Sequence, residues 1–142
     1  MSEIVGFLFI SSGAAVCIGG AAAFWSLQAS TSGGTLWPLP ALALLDWGIL
    51  GFAGFVSAQV GAATDHDRAW PGPWGIAGAL LPLAFIGALS IGPLVLLSAI
   101  LFFIGAGWNR MRRSKVTGQD LRWIAGGIVG NLLLLSLFIT LA

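Results

Sequence analysis

The sequence predicts an all-α integral membrane protein, a bundle of four transmembrane helices joined by short loops. Three observations predict it. Of 142 residues, 58% are apolar and only 8% charged, against about 25% charged in soluble domains. Apolar segments long enough to cross a hydrocarbon core of about 30 Å recur along the chain. The seven tryptophans sit near the ends of those segments, where an indole with one N–H donor favours the headgroup level. With 21 glycines added to the apolar set, too little polar surface remains to coat a water-soluble globule. That excludes a cytosolic enzyme, a nucleic-acid binder and a disordered tail.

The first apolar segment covers residues 4–25, about 33 Å as a helix. Only Glu3 precedes it as a charge, whereas a secretory signal places Lys or Arg there, so it reads as a retained helix. Ala15, Gly19 and Ala23 form a small-residue seam at steps of four. A Ser/Thr/Gly/Pro stretch follows and reads as a loop. The second helix falls in residues 41–63. It carries Asp46, and its seam is Gly51, Gly54, Ala58 and Gly61. Small residues at such spacing let another helix backbone approach closely.

A polar loop over residues 64–74 leads to the uncharged segment 75–107. Two spanning helices and a turn need about 40 residues, so this segment predicts one long helix over 78–107. Pro93 falls in its middle and predicts a kink, eased by Gly92 and Ser90. A re-entrant half-helix near residues 80–92 is the lesser alternative. The hydrophilic stretch 108–123 precedes a fourth helix, 123–142. That helix has a seam of Gly126, Gly127 and Gly130, with Asn131 beside it and a leucine-rich remainder. The chain reads as a single transmembrane domain without internal repeats.

Five of the six basic residues lie in or beside the last loop: Arg110, Arg112, Arg113, Lys115 and Arg122. Retention of positive charge in the cytoplasm places that loop inside, against anionic headgroups. With four spans, both termini and the loop 64–74 are then expected outside. The setting expected is a bacterial cytoplasmic membrane. Trp25, Trp37, Trp47, Trp70, Trp74, Trp108 and Trp123 mark the interfaces in this scheme.

Four polar residues within the apolar segments stand out as site candidates, with Ser90, Ser98 and Ser136 as lesser cases. Asp46 is costly at mid-membrane, about 2.5–3.5 kcal/mol. It reads as a helix cap, as half of an interhelical pair, or as a proton or ion carrier. Asn131 reads as interhelical glue. Ser57 follows Asp46 by three helical turns and shares its face; Gln59 is a lesser case. No metal site is expected: Asp65, His66 and Asp67 are adjacent loop residues and poor at forming a coordination shell. A lone cysteine, Cys17, offers neither a disulfide nor a paired metal site. The single histidine excludes a bis-histidine haem held by this chain alone.

No nucleophile elbow, phosphate loop or carboxylate pair is present. The sequence therefore predicts a chain that is not an enzyme and binds no cofactor. The function expected is an accessory subunit of a larger membrane complex, with a respiratory or photosynthetic assembly as one setting. Its partners would be other integral membrane subunits and lipid, not nucleic acid. The rival reading is a small homo-oligomeric transporter or channel using Asp46 and its polar neighbours.

Overall fold

The computed structural model describes residues 2–31, 39–64, 71–88, 90–113 and 118–141, and every regular element among them is an α-helix. There are five: α1 Ser2–Thr31, α2 Leu39–Thr64, α3 Pro71–Ile86, α4 Gly92–Arg113 and α5 Gly118–Leu141. Four of these, all but α3, are long and apolar enough to cross a membrane. The outer surface is apolar too. Phe85 is 85% exposed and Leu133 67%, and such side chains are scattered over the bundle, a surface suited to lipid contact.

The single long, proline-kinked third helix expected from the sequence is corrected to two helices and a turn. The room comes from both ends. α3 begins at Pro71, inside the stretch taken for a loop, and α4 continues through Trp108 to Arg113. Pro71 and Pro73 suit a first helical turn, whose N–H groups have no partner within the helix. The turn between the helices is closed by main-chain bonds. Gly87 N–H donates to the Leu83 carbonyl at 2.9 Å, and Ser90 and Gly92 N–H both donate to the Gly87 carbonyl, at 2.8 and 2.6 Å. A Cβ on Gly92 would meet the Ala84 and Gly87 carbonyl oxygens at 2.6 and 2.8 Å, so only glycine fits there. Pro93 lies in the first turn of α4 and starts a helix rather than bending one.

α3 and α4 form an antiparallel hairpin, with Trp74 ring-stacked edge-on to Phe103 at 6.0 Å. α3 is the central element. It packs on α4, α5 and α2, and Ala77, Ala79, Leu80, Leu83 and Ala84 are buried. At 16 residues it is about 24 Å long, short of a full span. α1 packs antiparallel to both α2 and α4. Its buried stripe is Ile10, Ala14, Cys17 and Ala21, at helical spacing. α4 answers with Val95, Ser98, Ala99, Phe102 and Ala106.

This order fixes which helix ends lie together. The start of α1 lies beside the end of α4, where Gly6 packs on the Asn109 side chain. The start of α5 is tied to that same end, since Arg110 Nε donates to Asp120 Oδ2 at 3.2 Å. α5 then runs parallel to α3, with Gly127 on Gly75 and Asn131 on Ala79. Ser2, the start of α1, and Leu141, the end of α5, therefore lie at opposite ends of the bundle, whereas four passes would put both termini on one side. Trp47 is a second correction. It is no interfacial anchor but a core residue, 0% exposed. It fills the notch left by Gly20 and lies 6.5 Å from the Phe24 ring. Trp74 is also buried, whereas Trp25, Trp108 and Trp123 are partly exposed. Trp37, Trp70 and the Asp65–Asp67 tripeptide lie outside the described residues.

Candidate functional site

α2 and α5 flank α3 on two sides and barely touch one another. Between them opens a cleft of about 540 Å³. Small residues of α3 make its floor: Gly72, Gly75 and Ala79 recur at steps of three and four, along one helix face. From α2 come Asp46 and Leu50, one turn apart; from α5 come Gly126, Gly127, Gly130 and Asn131. Two further grooves, of about 390 and 410 Å³, are lined by apolar residues and glycine.

Asp46 and Asn131 meet in this cleft although they stand far apart in sequence. They are 8% and 6% exposed, more than nine-tenths buried. The Asn131 amide Nδ2 donates to the Ala79 carbonyl of α3. The Asn131 amide also lies close enough to the Asp46 carboxylate to offer it its second N–H. Pro82 sits inside α3 and has no N–H, so the carbonyl left without its helical donor is that of Gly78. The Asn131 amide reaches the next carbonyl along, Ala79, and ties α5 to α3 there. What remains is one-sided: Asp46 Oδ2 and Asn131 Oδ1 are buried with no hydrogen-bond partner among the described residues. Both are acceptors. The cleft offers no spare side-chain donor of this pair, because the amide nitrogen is already used.

The remaining polar residues do not extend the cleft into a track. Ser57 shares the α3-facing side of α2, but it sits against Gly72 and its hydroxyl donates to its own helix at the Gly54 carbonyl, 2.9 Å. Gln59 is exposed on another face. Arg110 pairs with Asp120, and Arg122 is exposed. The side chains of Arg112 and Arg113, and Lys115 altogether, lie outside the described residues. No group of three or more His, Cys, Asp or Glu comes together among the described residues.

The small-residue seams divide sharply. In α2, Gly51 lies against Cys17, Gly54 against the Phe102 ring, and Ala58 and Gly61 are buried. In α5, Gly127 lies against the Gly75 carbonyl and the Ala79 nitrogen. Gly126 and Gly130 face outward, with nothing within 4 Å of where a Cβ would stand. Ala15, Gly19 and Ala23 are exposed on the outer side of α1. The glycines that α1 uses are Gly6, Gly13 and Gly20, against Asn109, Phe102 and Trp47. Their spacing of seven was a signal available in the sequence, and steps of four obscured it. Asn109 was likewise missed. It is buried, and neither amide atom has a hydrogen-bond partner among the described residues.

No protein-family model, curated protein or solved structure matches the chain, so its own geometry carries the functional argument.

Proposed function

We propose that the chain is a non-catalytic subunit of a membrane complex, and that a transmembrane helix of a partner docks in the cleft between α2 and α5. One observation carries this reading. Gly126 and Gly130 present an open four-residue step beside two buried oxygens that lack donors. In lipid, helices associate through close backbone approach over small residues and through interhelical hydrogen bonds. The cleft provides both, and its floor of Gly72, Gly75 and Ala79 lets a helix sit deep.

The membrane orientation belongs to the same proposal. Arg110, Arg112 and Arg113 close α4, and Arg122 lies near the start of α5. Retention of positive charge puts that end of the bundle in the cytoplasm. The N-terminus shares that end, and the C-terminus lies across the membrane.

Mild detergent extraction followed by native mass spectrometry tests the reading. The expected result is co-migration with other membrane subunits, lost on replacing both Gly126 and Gly130 by isoleucine. A chain that always runs as a lone monomer or homo-oligomer overturns it. The second reading, a small homo-oligomeric transporter or channel, is favoured by Asp46 alone. It predicts solute flux in liposomes that Asp46→Asn abolishes.

A further inference from the structure

We infer that the helix entering the α2–α5 cleft belongs to a different protein and carries a lysine or arginine at the depth of Asp46. The inference rests on the docking reading above and adds the chemistry of the partner. Three features of the cleft lead to it.

First, the cleft needs donors and not acceptors. Asn131 Nδ2 already serves Ala79, and the unsatisfied atoms are Asp46 Oδ2 and Asn131 Oδ1. An occupant bearing a carboxylate or a bare carbonyl would add repulsion at that point. A carboxylate in hydrocarbon calls for a cation, since intramembrane acids pair with bases or line aqueous cavities.

Second, the donor must be long. Both oxygens are buried, with almost no exposed surface of their own. A serine or threonine on a helix seated over Gly126 and Gly130 ends near its own backbone. Lysine and arginine carry their charge on a flexible apolar stem that can thread between helices.

Third, no such group stands beside Asp46 among the described residues. α1, α2 and α3 contain no Lys or Arg. Arg110 is engaged by Asp120 at the far end of α4. Arg122 precedes Asn131 by nine positions, about 13 Å along α5. A second copy, inserted in the same sense, would bring the basic residues of its α4 and α5 to that same distant end. Since nothing among the described residues answers the charge on Asp46, the base is assigned to a different polypeptide.

A photo-activated benzoylphenylalanine at Leu134, on the wall of the cleft, tests this in native membranes. The cross-linked peptide is identified by mass spectrometry. The expected product joins Leu134 to a transmembrane segment of another protein, with Lys or Arg within one turn of the linked residue. Asp46→Asn keeps an acceptor of the same shape but removes the charge. It should lower the cross-link yield at least about tenfold, a loss of about 1.4 kcal/mol. Asp46→Lys combined with the partner's base changed to Glu should restore it. A cross-link to a segment without a base, or a yield unmoved by Asp46→Asn, overturns the inference and leaves the docking reading standing. A cross-link to a second copy also overturns it. Cross-links to lipid alone overturn both.

Discussion

Gly127 is the residue on which the attachment of α5 depends. Its missing side chain lets the α5 backbone rest on the Gly75 carbonyl and the Ala79 nitrogen, and neither of those main-chain atoms can yield. Gly127→Val should therefore destabilise the bundle by about 1–3 kcal/mol, the usual cost of overpacking. Gly126→Ala, one residue away in open space, should stay within about 0.5 kcal/mol of the parent. Unfolding by graded denaturing detergent, followed by helical circular dichroism, checks both. Equal effects would mean that α5 is turned differently on α3. Asn131→Leu removes the donor to Ala79 and leaves Asp46 without its amide. A loss of about 1–2 kcal/mol is expected in the same assay, in the range of interhelical hydrogen bonds in membranes. Asp46 and Asn131 were both legible in the sequence as polar interruptions of apolar runs. Their meeting was not. It depends on how α2 and α5 are rotated about α3, and an apolar helix exposed on one side to lipid carries no hydrophobic stripe from which to read that rotation.

At the scale of elements, the α3–α4 hairpin separates a kink from a break. A mid-helix proline removes an intrahelical bond, and replacing it with alanine restores that bond. A proline in the first turn has no such bond to lose. Pro93→Ala should thus leave stability within about 0.5 kcal/mol of the parent. Gly92→Val should cost about 1–3 kcal/mol, because its side chain would press on the Ala84 and Gly87 carbonyls. Hydrogen exchange of residues 87–95 distinguishes the alternatives further. A break predicts turn-like exchange at Ala88 in the parent and in Pro93→Ala alike, while a kinked continuous helix would become more protected in the variant. α1, α2 and α5 could be placed from apolar length and polar flanks alone, while α3 and α4 merged into one apolar segment. The extra helix was hidden because α3 borrows Pro71, Gly72 and Pro73, loop-forming residues in water that serve as a helix start here. No charge marks the turn either. Gly87 and Gly92 do, but glycine is common in membrane helices and so signals weakly.

At the scale of the whole molecule, the extra helix reverses the parity of the fold. Were there four passes, the two chain ends would share a side. α3 instead runs from the Arg113 end of the bundle to the Phe85 end, which puts Ser2 and Leu141 at opposite ends. The contacts fix this without reference to charge, since Gly6 meets Asn109, Asp120 meets Arg110, and α5 runs away from that end beside α3. Single cysteines at Ser2, Ser114 and Thr140 turn the geometry into a measurement, with an impermeant maleimide applied to oriented vesicles. Cys17 is buried and should give little background. Ser2→Cys and Ser114→Cys should label from the same side and Thr140→Cys from the other. Labelling of Ser2→Cys and Thr140→Cys together, opposite Ser114→Cys, would restore four passes and place α3 within one leaflet. If the expected pattern is seen in vesicles whose cytoplasmic face points inward, the proposed orientation requires the first two sites also to resist the reagent until the membrane is permeabilised. The arrangement of the helices and the direction of insertion are thus tested by one set of variants and can fail separately. Grouping depends only on the packing of α3, and sidedness only on where the basic residues are retained.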